Sequence, residues 1–185
     1  MIKMDVVILA SGNGSTFQAI LDTCKHINVR ALITDNPKSY ALERAKAALL
    51  PYAVTEHKDV RKAAQYFTPE LVILAGYMRI LDEAFIRTYP HIINIHPSLL
   101  PKYKGLDTYE RVCSAGDEEH GTTVHWVNDD LDAGEIIAQE IVFVSPEDTI
   151  ASLQEKTQAV EKKLYPHVID QIANGEIALC NQNIK

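Results

Sequence analysis

The sequence contains few cysteines and no long hydrophobic run. Its three cysteines, Cys24, Cys113 and Cys180, are odd in number and form no C-x-x-C pair, which argues against a disulfide framework and favours a reducing compartment. The apolar run Val6–Ala10 near the N-terminus is too short for the hydrophobic region of a signal peptide or for a membrane span. We therefore expect a cytoplasmic protein without a membrane partner.

Basic residues are also scarce. The 18 Lys and Arg against 25 Asp and Glu give a net charge of −7, so a broad electrostatic surface for nucleic acid is not expected. The net charge does not exclude a local basic pocket that binds a phosphate. The hydrophobic fraction of 46% and the charged fraction of 23% are typical of a globular chain and exclude disordered and collagen-like classes. The length predicts a single domain over residues 1–185.

The first half of the chain alternates between continuous apolar runs and helix-forming segments. This rhythm predicts strands over 6–10, 29–34, 51–54, 71–75 and 92–96, with helices over 16–25, 40–49, 59–67 and 82–88. In the second half, strands over 122–127 and 135–144 flank a turn-rich segment, and a long helix is predicted over 149–173. The expected α/β fold is a doubly wound, mostly parallel sheet with an antiparallel C-terminal part and a long final helix.

A glycine-containing loop, Ser11–Thr16, follows the first predicted strand and opens its helix. Such a loop lets backbone N–H groups approach an anion at a helix N-terminus, but it is also compatible with a tight turn whose hydroxyls only cap the helix. A dinucleotide fingerprint would need a third glycine where Phe17 stands, although Asp35 lies near the usual acidic position. A lone phosphate monoester fits the loop better than a dinucleotide.

Two polar side chains, Asn94 and His96, end an otherwise Ile-rich strand. Alternation along the strand places both on one side, with Ile95 opposite, at the sheet edge where open α/β sheets bind ligands. An amide that stabilises an oxyanion beside an imidazole that moves a proton suits acyl-type chemistry. The alternative is a hydrogen-bonded structural pair. Metal binding is disfavoured because no second ligand stands at a suitable spacing from His96.

Further ionisable groups lie in the second half of the chain. Asp132, in the tight segment 131–134, either satisfies its own backbone or, if the fold brings it to His96, orients that ring and favours its protonated form. His120 and His125 add two more imidazoles. We expect His125 to lie in a strand, where it either supports the site or has only a structural role. The simpler interpretation of His120 is also a structural role.

Taken together, these segments resemble the phosphoribosylglycinamide formyltransferases, a branch of the folate-dependent formyltransferase family. The resemblance runs in the family's order over nearly the whole chain. It rests on Ser-Gly-Asn-Gly-Ser at 11–15, Ala-Gly-Tyr-Met-Arg-Ile-Leu at 75–81, Asn-Ile-His-Pro-Ser-Leu-Leu-Pro at 94–101, Asp-Glu-Glu-His-Gly-Thr-Thr-Val-His at 117–125 and Leu-Asp-Ala-Gly at 131–134. The segment at 94–101 is the most specific to formyl transfer. The resemblance implies a Rossmann-like formyltransferase fold.

The resemblance also implies a reaction. The formyl group of 10-formyltetrahydrofolate, the cosubstrate, would pass to the amine of 5-phosphoribosylglycinamide in de novo purine synthesis, by direct attack through a tetrahedral intermediate and without a metal. Asn94, His96 and Asp132 match the catalytic residues: Asn94 for the oxyanion, protonated His96 as general acid, and Asp132 to keep that ring charged. The implied partners are therefore small-molecule substrates.

Substrate-binding residues are implied in the same way. The residues that match ribonucleotide-binding positions are Gly14, Ser15, Thr16, Gln158 and Glu161. The residues that match folate-binding positions are Met78, Arg79, Ile80, Leu81, Asn94, Asn128, Asp129, Asp130 and Leu131. On its helix alone, Glu161 is equally compatible with a solvated face. A further basic residue on the folate side is either Lys58 or Arg61.

The sequence departs from the family's pattern at several positions and leaves alternatives open. Thr16, Lys104, Asp107 and Ala133 replace residues more usual in the family, which affects substrate contacts more than the chemistry. A formyltetrahydrofolate hydrolase would be expected to carry an additional N-terminal domain, and a methionyl-tRNA formyltransferase an additional C-terminal one. A non-catalytic phosphometabolite-binding module remains a third alternative. Whether the protein is a monomer or a homodimer, and whether residues 181–185 are ordered, is open.

Overall fold

The computed structural model describes residues 3–180, so the order of residues 181–185 lies outside the described part. The strands are β1 Met4–Leu9, β2 Ile27–Thr34, β3 Tyr52–Val54, β4 Leu71–Leu74, β5 Ile92–His96, β6 Glu119–Trp126 and β7 Ile136–Phe143. The α-helices are α1 Ser15–Thr23, α2 Tyr40–Ala47, α3 Val60–Phe67, α4 Glu83–Thr88, α5 Thr108–Ala115 and α6 Ile150–Ala173. Within residues 3–180, no helix is long and apolar enough to cross a membrane.

All the strands of the described chain form one twisted sheet in the order β3-β2-β1-β4-β5-β6-β7. Neighbours from β3 to β5 pair in parallel, whereas β6 is antiparallel to β5 and β7 is antiparallel to β6. The predicted fold class, a mostly parallel α/β sheet with an antiparallel C-terminal part, is confirmed. The alternation of strands and helices leads to this result because parallel neighbours need crossover connections, which the helices supply.

Helices cover both faces of the sheet. In β1, Val6 and Ile8 join a core cluster with α1, α2 and α6, while Val7 and Leu9 join a second cluster with α3 and α4. All four side chains are fully buried, which explains why β1 is a continuous apolar run rather than an alternating one. Both faces of the central strands are therefore packed.

One helix of the described chain, α5, was not predicted from the sequence. Its apolar face is short: only Thr108 and Val112 are buried, with Tyr109 and Cys113 packed partly buried beside Val112. Its N-terminal flanking residue, Asp107, has a left-handed backbone and no side-chain capping bond, so the usual start signal is missing. Strand β6 also begins earlier than predicted, at Glu119, because the polar His120 is buried and pairs with Val142 of β7.

The long helix α6 is anchored to the centre of the sheet. Tyr165 is fully buried, and its hydroxyl lies 3.0 Å from the carbonyl oxygens of both Leu74 and Ile93. These carbonyls belong to β4 and β5. The anchor places Glu161, one helical turn before Tyr165, beside β6 near the carboxyl edge of the parallel strands.

Candidate active site

The candidate site lies at the carboxyl edge of the parallel strands. In the order β3-β2-β1-β4-β5, successive strands of the chain are added on one side of β1 up to β3 and on its other side from β4 onward, so the strand order reverses between β1 and β4. Open α/β sheets bind ligands in the crevice at such a point. The glycine loop follows β1, the segment 75–82 follows β4, and Asn94 and His96 end β5. The connection between β6 and β7 supplies Asp132. The segments noted in the sequence therefore meet at one edge of the sheet.

The His96 and Asp132 side chains form a nearly buried pair. His96 Nδ1 lies 3.4 Å from Asp132 Oδ2, and each side chain is only 8% exposed. The other ring nitrogen, His96 Nε2, lies 2.9 Å from the carbonyl oxygen of Tyr103. Both ring nitrogens thus face oxygen acceptors. These two contacts fix the orientation of the imidazole ring at this edge of the sheet.

The Asn94 amide is oriented by His125, which lies opposite it on β6. His125 Nδ1 donates to the carbonyl oxygen of Trp126 at 2.9 Å, and burial lowers the pKa of this imidazole below its usual value. The neutral ring therefore presents an unprotonated Nε2, which accepts a hydrogen bond from Asn94 Nδ2 at 3.2 Å. A primary amide carries two N–H groups, so this bond leaves the second N–H of Asn94 to serve a substrate.

The loop geometry explains how Asp132 reaches both imidazoles. Asp132 has a left-handed backbone with φ of 47°, a conformation that Asp tolerates better than most residues. Its Oδ2 accepts a hydrogen bond from the Gly105 backbone N–H at 2.9 Å, and its Oδ1 lies 3.8 Å from His125 Nε2. A Cβ at Gly134 would stand 1.7 Å from the carbonyl oxygen of Trp126, so glycine is required there, whereas Ala133 is exposed.

The glycine loop packs tightly against α2. Gly14 has φ of 72°, and a Cβ there would lie 2.6 Å from the Ala41 Cβ, so only glycine permits this approach. Ser15 and Thr16 open α1 and are half-buried. Arg44 of α2 donates to the Asn13 carbonyl oxygen at 3.0 Å and to Asn13 Oδ1 at 3.1 Å. This guanidinium beside the loop was not singled out from the sequence, where nothing distinguishes it from other helix-surface cations.

Exposed apolar side chains lie on the segment after β4 and on the two loops that approach Asp132. Met78 and Ile80 on the segment after β4 are 70% and 72% exposed. Leu131 and Leu106, on the two loops that approach Asp132, are exposed as well. The other residues implied to contact folate vary in exposure: Leu81 is buried in the core, Arg79, Asp129 and Asp130 are exposed, and Asn128 is half-buried, with Oδ1 accepting from the Asp130 backbone N–H.

On the other side of the sheet, Glu161 is buried rather than solvated. It is 8% exposed, and its Oε1 lies 3.5 Å from Thr122 Oγ1. Burial raises the pKa of the Glu161 carboxyl to about 7. The interpretation of Glu161 as a solvated helix-face residue is therefore wrong. Gln158, one turn earlier on α6, is half-buried.

The remaining residues considered in the sequence differ in burial and in contacts. Lys58 forms an exposed ion pair with Glu56 at 2.8 Å, and Arg61 is exposed on α3. Lys104 and Asp107 are exposed. His120 is buried against the Tyr109 ring, and burial lowers its pKa to about 4. Within residues 3–180, no group of three or more His, Cys, Asp or Glu side chains is arranged to hold a metal ion.

Comparison with known proteins places this geometry in context. A family model described as Formyl transferase matches residues 4–169. The chain is 40% identical to the phosphoribosylglycinamide formyltransferase of Haemophilus influenzae, over 94% of this chain and 89% of that protein. It is also 40% identical to the Escherichia coli K12 protein of the same name, over 95% and 90%. The solved structure of phosphoribosylglycinamide formyltransferase from Anaplasma phagocytophilum has a TM-score of 0.92 at 36% identity, covering 97% of this chain and 91% of that chain.

Proposed function

Because the chain belongs to the formyl transferase family, and is a one-carbon transferase by that membership, we propose that it formylates 5-phosphoribosylglycinamide in purine biosynthesis. The donor is 10-formyltetrahydrofolate. The observation that carries this proposal is the arrangement at the end of β5, where the nearly buried His96 stands between Asp132 and a carbonyl oxygen while the Asn94 amide is held by His125. Such a site suits acyl transfer.

The ribonucleotide is assigned to the glycine loop and α6. The backbone N–H groups at the start of α1, with the hydroxyls of Ser15 and Thr16, offer donors to a phosphate. Arg44 adds a positive charge close to the loop. Glu161 and Gln158 lie on α6, on the other side of β5 and β6, where polar groups of the glycinamide ribonucleotide would reach them.

The folate cosubstrate is assigned to the segment after β4 and to the loop between β6 and β7. The exposed apolar side chains of Met78, Ile80, Leu106 and Leu131 fit the flat aromatic body of a reduced folate, since ligand sites combine apolar walls with a few polar groups. Asn128, Asp129 and Asp130 supply such polar groups. Bound there, the cosubstrate supplies the activated formyl group.

The protein's own residues act on charge and protons. As the glycinamide amine attacks the formyl carbon, negative charge develops on the formyl oxygen, and the free N–H of Asn94 stabilises it. The bond from the formyl carbon to the folate nitrogen then breaks, and the proton lost by the amine ends on that nitrogen. Protonated His96 would exchange its Nε2 contact with the Tyr103 carbonyl oxygen for the developing oxyanion and mediate proton transfer. Asp132 keeps the ring charged and oriented.

The direct test is a folate-absorbance assay of the purified protein with 10-formyltetrahydrofolate, run with and without the ribonucleotide. We expect deformylation of the folate only when the ribonucleotide is present, with formylated ribonucleotide as product. Folate turnover without the ribonucleotide would instead indicate a hydrolase. Binding of both compounds by the folded protein without any turnover would indicate a non-catalytic module.

The setting proposed for this activity is the cytoplasm. All three cysteines are free thiols, which supports a reducing compartment. The partners proposed are the two small-molecule substrates, consistent with the acidic net charge of −7, which gives no broad surface for nucleic acid.

A further inference from the structure

Asp35, at the end of β2, uses both carboxylate oxygens to join two other loops. Its Oδ1 accepts a hydrogen bond from Ser11 Oγ at 2.6 Å, and its Oδ2 accepts from Arg79 Nε at 2.7 Å. Ser11 begins the glycine loop after β1, whereas Arg79 lies on the segment after β4. The Asp35 side chain is only 7% exposed. It therefore stands between the two loops that flank the reversal point of the sheet.

The Ser11 hydroxyl extends this connection to the backbone. Its oxygen accepts a hydrogen bond from the Met78 backbone N–H at 3.0 Å, while its single proton goes to Asp35. The Ser11 backbone N–H also donates to the Gly76 carbonyl oxygen at 3.1 Å. The three residues Ser11, Asp35 and Arg79, with the Met78 N–H, form a hydrogen-bonded group that we call the Asp35 clasp.

The clasp needs a charged carboxylate. Burial opposes the charge on Asp35, but the hydrogen bonds from Ser11 and Arg79 outweigh that cost and hold the pKa of the carboxyl below its usual value. An ionised carboxylate only accepts hydrogen bonds, which fixes the direction of the Ser11 proton. The same contacts explain why an acidic residue follows β2 in a protein without a dinucleotide fingerprint: its oxygens are taken by protein donors rather than by a ribose.

We propose that Asp35 is a positioning residue that fixes the glycine loop against the segment after β4, so that both loops keep the shape in which they bind the ribonucleotide and the folate. This inference rests on the proposed function, because it assigns the two loops to the two substrates. Asp35 acts through Ser11 and Arg79 and does not touch the reacting atoms. Loss of the clasp therefore weakens binding of both substrates while the His96 and Asp132 pair stays intact.

The test is steady-state kinetics of Asp35→Asn. The amide keeps the size of the side chain but removes its charge. Its N–H faces either the Arg79 guanidinium, which can only donate, or the Ser11 hydroxyl, which must then turn its proton away from the new amide. We expect the KM for each substrate to rise about tenfold or more, since a hydrogen bond to a charged group is lost. The kcat should change by less than about threefold.

Asp5→Asn is the matched control. Asp5 lies at the opposite edge of the sheet and has the same pattern of contacts, with Oδ1 accepting from Asn28 at 2.6 Å and Oδ2 from Arg30 at 2.9 Å. Its substitution removes an equivalent charged group from the fold. We expect both KM values of this variant to match those of the unsubstituted protein.

Ser11→Ala and the double variant complete the experiment. Ser11→Ala removes the hydroxyl alone and should raise both KM values in the same pattern, which keeps the test valid if Asp35→Asn does not fold. Because both substitutions break the same contact between Ser11 and Asp35, the KM values of the double variant should be little higher than those of Asp35→Asn.

The inference is overturned if both KM values of the folded Asp35→Asn and Ser11→Ala variants stay within about twofold of the unsubstituted protein. It is also overturned if only one substrate is affected, or if the two substitutions add independently. Absence of turnover in the unsubstituted protein would instead contradict the proposed function.

Discussion

At the residue scale, the environment of His96 decides its role. The ring is held from both sides, by Asp132 at Nδ1 and by the Tyr103 carbonyl oxygen at Nε2. Neither neighbour can donate a hydrogen bond to the ring, and together they fix its orientation. This placement at the ligand-binding edge of the sheet is the reason for proposing a catalytic role.

Substitution of the catalytic pair should remove activity without removing the fold. For His96→Ala and Asp132→Asn we expect kcat to fall by about 10²- to 10⁴-fold, because proton transfer by a positioned side chain is lost. Steady-state kinetics measures the loss, and circular dichroism reports the fold. His167→Ala, at an exposed position on α6, is the matched control and should retain normal kcat. Near-normal turnover in either site variant would contradict the assigned roles.

Glu161 should make stability depend on pH. Its folded-state pKa of about 7 lies above the ordinary value of 4.5, so between these values the folded state binds the proton more tightly than the unfolded state. The free energy of unfolding contributed by Glu161 is therefore full at low pH and falls as pH rises to about 7. The Gln side chain of Glu161→Gln resembles the protonated acid, so we expect the variant to lose the part of the pH dependence of stability that Glu161 contributes. At neutral pH its free energy of unfolding should exceed that of the unsubstituted protein by roughly 2–3 kcal/mol.

Urea unfolding between about pH 5 and 8 measures this difference. Glu155→Gln, at an exposed position on the same helix, is the control and should show the pH dependence of the unsubstituted protein. If the free energies of unfolding of Glu161→Gln and the unsubstituted protein differed by the same amount at every pH, Glu161 would not titrate in this range.

Residue-level prediction from the sequence succeeded where it relied on a local period. Alternation along β5 correctly placed Asn94 and His96 on one side, since Ile93 and Ile95 both join the core on the opposite face. Local pattern alone could not bring Asp132 to His96, because that approach depends on how the connection between β6 and β7 folds back to Gly105; only the family resemblance implied it. The Asp35 clasp was missed for the same reason: its members come from three separate loops.

At the element scale, the helices differ in how far local sequence signals define them. The long helix α6 was predicted almost to the residue, with Asn174-Gly175 as its stop signal. In the structure, Thr149 and Ser152 form a reciprocal capping box at its start. Helix α5 has no side-chain cap at its N-terminus and only a short apolar face, and it was missed. Its position is determined instead by tertiary contacts, such as the packing of Val112 with Val142 and Leu153.

Removal of the α6 cap should lower stability and leave catalysis unchanged. Thr149 Oγ1 accepts from the Ser152 backbone N–H at 3.1 Å, and Ser152 Oγ accepts from the Thr149 N–H at 2.9 Å. For Thr149→Ala we expect a loss of about 1 kcal/mol, which corresponds to a Tm lower by about 2–4 °C. Thermal unfolding measures the change, and Thr149→Ser should restore most of it. An unchanged Tm would show that the helix start is held by other contacts.

At the scale of the whole molecule, the sheet topology brings the chemistry together. The parallel order was predictable from the alternation of buried runs and helices, and the reversal between β1 and β4 places the glycine loop beside the segment after β4. The antiparallel strands β6 and β7 then carry His125 and the Asp132 loop to the end of β5. The central proposal is that this edge of the sheet catalyses direct formyl transfer between two bound substrates.

The fate of the formyl carbon tests that claim most directly. The measurement is a single turnover of the unsubstituted protein with isotopically labelled 10-formyltetrahydrofolate and the glycinamide ribonucleotide, with products identified by mass spectrometry. The account predicts that the label appears on the amine of the ribonucleotide, with none on the protein and none as formate. Labelled formate would show hydrolysis, and labelled protein would show a covalent intermediate; either result would contradict direct transfer.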